Sequence, residues 1–113
     1  MLSPKYRLKK EMDFKRIYRK GKINRGFFFD CLYLKSDKEP RFGIITTTKS
    51  INKAVKRNKA KRQVRGLIRK NKKDWPKNND IIIKIKKIIT NQELTQAETE
   101  LQNIFKTIKN NDK

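Results

Sequence analysis

The spacing of hydrophobic residues along the chain alternates between a helical and an extended repeat. Phe14, Ile17 and Tyr18 are spaced as i, i+3 and i+4, which predicts a helix over residues 11–20 with Gly21 as its C-cap. Residues 95–109 repeat in the same way and predict a second amphipathic helix at the end of the chain. The apolar face of that helix consists of Ala97, Leu101, Ile104, Phe105 and Ile108.

Three short apolar segments predict β-strands. Residues 27–34 are rich in aromatic side chains, and residues 41–48 are rich in β-branched ones. Residues 36–40 between them have the composition of a turn, so the two segments predict a hairpin. Residues 80–86 contain four isoleucines, which is typical of a strand buried on both faces.

A longer helix is predicted over residues 52–71, with Asn52 as its N-cap. Trp75 and Pro76 lie in the segment that separates this helix from the isoleucine-rich strand. The predicted order is α-β-β-α-β-α in a single domain spanning residues 1–113. This order predicts an α+β fold, a two-layer α/β sandwich with the helices packed on a small sheet.

The charge of the chain is extreme for its size. Among 113 residues, 32 are Lys or Arg and 11 are Asp or Glu, which gives a net charge of +21. Such self-repulsion is relieved only beside a polyanion, and the abundant ones are RNA, DNA and anionic membrane. No segment is apolar enough for a signal peptide or a membrane span, so we expect a soluble, cytoplasmic protein with no membrane partner.

The composition also excludes several kinds of catalytic site. The chain has no histidine and one cysteine, Cys31, so it has no Ser-His-Asp triad, no histidine general base and no zinc site. Its carboxylates are scattered and absent from the basic middle helix, whereas two-metal hydrolysis needs several that converge. We therefore expect no catalytic residue, no metal ligand and no small-molecule substrate in this chain.

The basic residues concentrate on the middle helix. Residues 49–73 hold 8 Lys and 4 Arg and no acid. On a helical wheel Arg57, Lys61, Arg65 and Arg69 form one row, with Asn58 and Arg62 beside it, while Ala60, Val64 and Leu67 lie on the other side. Like charges four residues apart destabilise a helix, so the row is better explained as a nucleic-acid-binding face than as a merely solvated one.

Aromatic residues near the N-terminus suggest a second surface. Phe14, Tyr18, Phe27, Phe29 and Tyr33 could line a groove in which unpaired bases stack, although aromatic residues at these spacings are more often core. Strand alternation places Phe27, Phe29, Cys31 and Tyr33 on one face. Their polar tips make Tyr18 and Tyr33 the better groove residues.

The middle helix carries a recognisable motif. Residues 54–65 read Ala-Val-Lys-Arg-Asn-Lys-Ala-Lys-Arg-Gln-Val-Arg, which resembles the Ala-Val-x-Arg-Asn-x-x-Lys-Arg-x-x-Arg signature of the bacterial ribonuclease P protein subunit. Arg7-Leu8, Asp13-Phe14, Arg41-Phe42-Gly43-Ile44 and Asp80-Ile81-Ile82-Ile83 are also similar to that family. The resemblance extends over about residues 5–108.

The resemblance implies a fold and a function. The fold would be like that of the second domain of ribosomal protein S5, which contains a left-handed β-α-β crossover. Nearly all crossovers of this kind in other folds are right-handed. The chain would be the accessory protein of the endoribonuclease ribonuclease P, a hydrolase that removes the 5′ leader from precursor tRNA. Its partners would be the catalytic RNA subunit and precursor tRNA. The RNA subunit would contain the active site and hold most of the Mg²⁺.

The family also implies which residues bind which RNA. The set expected to bind the RNA subunit is Lys49, Lys53, Lys56, Arg57, Asn58, Lys61, Arg62, Arg65 and Arg69. The set expected to line a cleft for the leader is Phe14, Tyr18, Phe29 and Tyr33.

Other classes of protein share this composition. A ribosomal protein would bind ribosomal RNA without stimulating leader removal. A histone-like protein would bend duplex DNA, and it normally has a dimerisation segment or β-arms that this sequence lacks. A stand-alone nuclease would cleave precursor tRNA without any RNA partner.

Overall fold

Three α-helices and four β-strands lie within residues 3–111, the part of the chain that the computed structural model describes. In chain order they are α1 (Glu11–Lys20), β1 (Lys22–Arg25), β2 (Phe29–Lys35), β3 (Arg41–Ile45), α2 (Ala54–Lys70), β4 (Asn79–Ile85) and α3 (Leu94–Asn111). The predicted α+β class, the three helices and the three predicted strands are confirmed.

The strands form a single mixed sheet in the order β1-β2-β4-β3. β4 pairs antiparallel with β2 and parallel with β3, so the predicted hairpin between residues 27–34 and 41–48 is wrong. The reason is burial, because β4 is almost wholly inaccessible to solvent and takes the interior position of the sheet. The parallel pair is connected through α2, which confirms a β-α-β crossover. The left hand of that crossover stays a prediction.

The strand that sequence analysis missed is β1. Its sequence, Lys-Ile-Asn-Arg, has one apolar residue and no usable alternation, but it forms the true hairpin with β2. Gly21 joins α1 to β1 in an extended conformation rather than in the left-handed one. A side chain there would collide with main-chain oxygens, because a β-carbon would lie 2.5 Å from the Ile17 oxygen and 2.9 Å from the Tyr33 oxygen.

Helices cover the two faces of the sheet unequally. α2 and α3 pack on one face and form with it the larger core, which contains Phe29, Phe42 and Phe105. α1 crosses the other face, where Ile17 packs against Leu32 of β2 and Ile82 of β4. The sheet and the α2–α3 layer form the predicted two-layer sandwich, and α1 partly covers its outer surface.

None of the helices within residues 3–111 is both long enough and apolar enough to cross a membrane.

Candidate nucleic-acid interface

α2 begins two residues later than the sequence predicted. Lys53, not Asn52, occupies the N-cap position, and no side chain caps the helix. The main-chain N–H of Arg57 donates to the Lys53 oxygen, and its guanidinium Nη1 donates to the Ile51 oxygen at 2.9 Å. Because Ile51 is buried, Arg57 fixes the segment that leads into the helix as well as contributing charge.

The outer surface of α2 is cationic, as the helical wheel predicted. Ala60, Val64, Leu67 and Ile68 are buried against the core. The six most exposed residues of the predicted RNA-subunit set are Lys49, Lys53, Lys56, Asn58, Arg62 and Arg69, and Arg57, Lys61 and Arg65 are half-buried along the flank. All but Lys49 and Lys53, which precede the helix, lie on α2 itself.

The cations of this surface have no acidic partner within the described part of the chain. The ion pair that α2 does make, from Lys70 to Glu98 at 3.3 Å, is at the C-terminal end of the helix. From Lys56 to Arg69 no carboxylate of residues 3–111 comes within 4.0 Å of a basic group. The repulsion within the row is therefore not compensated inside the protein, which leaves the surface complementary to phosphate.

The less exposed carboxylates, by contrast, are bound by the protein's own groups. Asp80 is fully buried on β4 and accepts from Arg41 Nε at 3.0 Å, Arg41 Nη2 at 2.9 Å and Arg16 Nη2 at 2.7 Å. The hydrogen bonds that Arg41 donates to Asp80 raise the pKa of Arg41 above its usual value. Arg16 lies on α1, and Arg41 lies on β3 directly beside Asp80 of β4. This cluster therefore fixes α1 to the sheet.

Acidic side chains of residues 3–111 form no group of three or more that could hold a metal ion. Asp13 contacts Arg16 and Arg41, Asp30 contacts Lys86, and Glu93 contacts Lys87. The chemistry available at the α2 surface is therefore cation and hydrogen-bond donation to an anion.

A second surface lies where α1 leaves the sheet uncovered. Phe14 is half-buried with its ring over Gly43, and Tyr18, one turn later, is 52% exposed. On the same face of the sheet the register places Ile23 beside Leu32, and it places Asp30 between Arg25 and Lys84. The exposed edge of α1 and these strand residues lie on one face of the sheet, and we call this surface, which combines aromatic rings with positive charge, the groove beside α1.

Phe29 and Tyr33 do not belong to this groove, and the prediction that they line it is wrong. Both point to the opposite face of the sheet, where Phe29 is fully buried and Tyr33 is 6% exposed. The predicted alternation holds within β2, where Phe29, Cys31 and Tyr33 share one face, but Phe27 lies outside the strand and Phe28 packs in the same core as Phe29. Alternation also does not tell which face a given helix covers. Leu32, between Phe29 and Tyr33 in sequence, is the residue that faces α1.

Sequence analysis also missed three residues of the groove, Ile23, Arg25 and Lys84. Ile23 and Arg25 lie on β1, which no hydrophobic pattern revealed, and Ile23 is 54% exposed. Lys84 is the polar position within the isoleucine-rich strand β4, and that interruption was the available signal.

Comparison with known proteins identifies the family of this chain. The sequence profile of the family described as Ribonuclease P matches residues 2–109. This chain belongs to the ribonuclease P protein family. Proteins of this family are subunits of an endoribonuclease that processes the 5′ end of tRNA, and the chain is such a subunit.

Individual relatives are similar over nearly the whole length. A ribonuclease P protein component of Bacillus cereus is 30% identical over 106 residues, which are 93% of this chain and 92% of that protein. The ribonuclease P protein of Staphylococcus aureus has a solved structure that is 32% identical, with a TM-score of 0.70 over 96% of this chain and 93% of that one. The ribonuclease P protein of Thermotoga maritima is 28% identical, with a TM-score of 0.69 over 92% of this chain and 96% of that one.

Proposed function

We propose that this ribonuclease P protein binds the RNA subunit through α2 and the single-stranded 5′ leader of precursor tRNA through the groove beside α1. The observation that carries the first part is the unpaired cationic row from Arg57 to Arg69. The groove supports the second part, because unpaired RNA is bound by stacking on aromatic rings and by cations that follow its backbone.

The contribution to catalysis is electrostatic and positional. The RNA subunit and the substrate are both polyanions, and α2 reduces their mutual repulsion by placing arginines between phosphates. Arg62 and Arg65 carry planar donors that contact phosphate through two hydrogen bonds at once. Contacts of Phe14 and Tyr18 with the leader add affinity for precursor over mature tRNA, since the mature molecule has no leader.

The Mg²⁺ required by the reaction is assigned to the RNA subunit in this proposal. The carboxylates that the structure describes do not fit a metal site, because they form no cluster of three and the buried one is saturated by arginines. What the chain supplies is neutralisation of nearby phosphates, so that the RNA retains its own metal ions at lower Mg²⁺ concentrations.

The decisive experiment is reconstitution with a ribonuclease P RNA subunit at a Mg²⁺ concentration at which that RNA alone cleaves precursor tRNA poorly. We expect the wild-type chain to restore leader removal and Arg62→Ala combined with Arg65→Ala to abolish the stimulation. Lys106→Ala combined with Lys109→Ala on α3 removes the same charge from another surface and should retain it.

Two results would overturn the proposal. One is equal loss of stimulation in the α2 and α3 double variants, which would mean that only net charge matters. The other is cleavage by the chain alone, without any RNA subunit, which would place the active site in the protein.

A further inference from the structure

A third aromatic surface lies outside the groove described above. We propose that Phe27, on the loop between β1 and β2, is a stacking platform for one unpaired base of the 5′ leader, beyond the positions that contact Phe14 and Tyr18. This inference rests on the proposed function and extends it to a named contact. Phe27 is 65% exposed, which is unusual for a phenylalanine, and the next two residues, Phe28 and Phe29, are buried.

The loop that carries Phe27 is held rigidly. The main-chain N–H groups of Phe27, Phe28 and Phe29 all donate to the carboxylate of Glu100 on α3, at 2.9 to 3.2 Å. Gly26 makes room for this clamp, because a β-carbon there would lie 2.7 Å from Glu100 Oε2. A ring on a fixed backbone binds a base with less loss of conformational entropy than one on a mobile loop.

The surroundings of the ring suit a nucleotide. Phe27 packs edge-to-face with buried Phe28 at 4.9 Å between ring centroids. The ammonium of Lys87 lies 4.6 Å from the Phe27 centroid and is held there by Glu93 at 3.0 Å. An aromatic ring with an adjacent cation offers both contacts that a nucleotide of single-stranded RNA uses, stacking for the base and charge for the phosphate.

A positively charged track connects the groove to this loop. Arg25 and Lys84 flank Asp30 in the sheet register, and Lys86 reaches the same carboxylate at 3.4 Å and the Gly26 oxygen at 2.9 Å. Three cations thus surround one acid along the route. Leu32, in the groove, and Phe29, at the start of β2, are three residues apart, which is roughly 10 Å along the strand at 3.3 Å per residue. A flexible RNA strand spans this distance easily.

This track is the reason to assign the leader rather than the RNA subunit as the occupant. The track begins on the part of the sheet that α1 leaves exposed, on the face opposite to the one that α2 covers. A strand that leaves the groove in this direction reaches Phe27 only if it is long enough. The length of the leader is therefore the variable that tests the proposal.

The experiment measures binding and cleavage of a series of precursor tRNAs, with leaders of increasing length, by the holoenzyme reconstituted with wild-type chain, Phe27→Ala or Phe27→Trp. We expect Phe27→Ala to weaken binding of long-leader substrates roughly five- to hundredfold, the range for losing one stacked base. Short-leader substrates should be unaffected, and Phe27→Trp should restore the long-leader affinity. Met12→Ala, which truncates a side chain that is 79% exposed on α1, is the matched control.

A second readout is independent of activity. A fluorescent 2-aminopurine placed at successive leader positions should be quenched at one distal position by the wild-type chain and not by Phe27→Ala. Thermal unfolding of each variant checks that the fold is intact, which we expect because the ring is mostly in solvent.

The outcomes separate this proposal from the proposed function. Equal losses at every leader length would assign Phe27 to the RNA subunit, and no loss at any length would show that Phe27 binds no base; either result overturns this proposal alone. A wild-type chain that fails to stimulate cleavage of any substrate would overturn the proposed function and this extension with it.

Discussion

The ring of Phe14 lies directly over Gly43, so close that a β-carbon on residue 43 would come within 2.7 Å of ring atoms Cε1 and Cζ. Gly43→Ala should therefore displace Phe14 and with it the edge of α1. We expect a loss of stability of about 1–3 kcal/mol, the usual cost of overpacking, measured by urea unfolding. The affinity for leader-bearing substrates should fall as well, because the groove changes shape.

Gly66 provides the control for that substitution. It lies within α2, and a β-carbon there would meet no atom within 4 Å. Gly66→Ala should stabilise the protein by about 0.5–1 kcal/mol, since alanine is the better helix former. Equal effects of the two substitutions on stability would contradict the packing argument for Gly43.

Asp80 should be among the residues most sensitive to substitution. Arg16 and Arg41 share two carboxylates, Asp13 and Asp80, and Asp80→Asn removes the charge of the fully buried one. We expect a loss of about 3 kcal/mol in the free energy of unfolding, as when one member of a buried ion pair is removed. Asp37→Asn, in an exposed turn, should change it little. Similar unfolding midpoints for the two variants would refute the structural role of the cluster.

Binding to the RNA subunit should depend strongly on salt. About six phosphate contacts from the α2 cations would give a slope of log affinity against log salt of roughly −4 to −5. Arg62→Ala combined with Arg65→Ala should reduce the magnitude of this slope by roughly 1.4–1.8. Arg57→Ala is a poorer test of charge, because it also removes the hydrogen bond to the Ile51 oxygen. A slope near zero for the wild-type chain would contradict phosphate neutralisation.

Stability should also fall in acid through Glu98. The hydrogen bond from Asn71 and then that from Lys70 lower the pKa of Glu98 below its ordinary value. A carboxylate with a depressed folded-state pKa stabilises the fold above its unfolded pKa, about 4.3, and this stabilisation is lost as the pH falls through the folded-state value. The difference in unfolding free energy between wild type and Glu98→Gln should therefore be full near neutral pH and shrink below about pH 4.

Denaturant titrations at several pH values measure that difference. Glu11→Gln is the control, since the Glu11 side chain is 83% exposed in a surface pair with Lys15. A constant difference between wild type and Glu98→Gln at every pH would contradict the assignment.

The helices were predictable because each presents a single apolar face. Ile17 on α1, Val64 on α2 and Leu101 on α3 are all fully buried at positions that the helical spacing indicated. The order of strands was not predictable in the same way. β2 and β3 are neighbours in sequence, but the larger gain comes from placing the isoleucines of β4 between them, and that choice depends on contacts distant in sequence.

The two candidate sites differ in the same way, since one depends on local spacing and the other on contacts distant in sequence. The α2 row depends on local spacing and charge, so the sequence was sufficient to predict a cationic outer surface, although Arg57, Lys61 and Arg65 are half-buried. The groove depends on which side of the sheet α1 covers, and so Phe29 was wrongly included while Ile23 and Arg25 were missed. Phe27 was one of the aromatic residues predicted to line the groove, but it lies on the loop between β1 and β2, where its main chain binds Glu100 and its ring is exposed.

The position of β4 has a consequence for synthesis of the chain. Apart from the β1–β2 hairpin, every strand pairing within residues 3–111 involves β4. Until Asn79–Ile85 leaves the ribosome, the nascent protein can make a hairpin and isolated helices but no complete sheet. Folding during translation therefore waits for about the last third of the chain, and the cationic α2 emerges before it has a core to pack on.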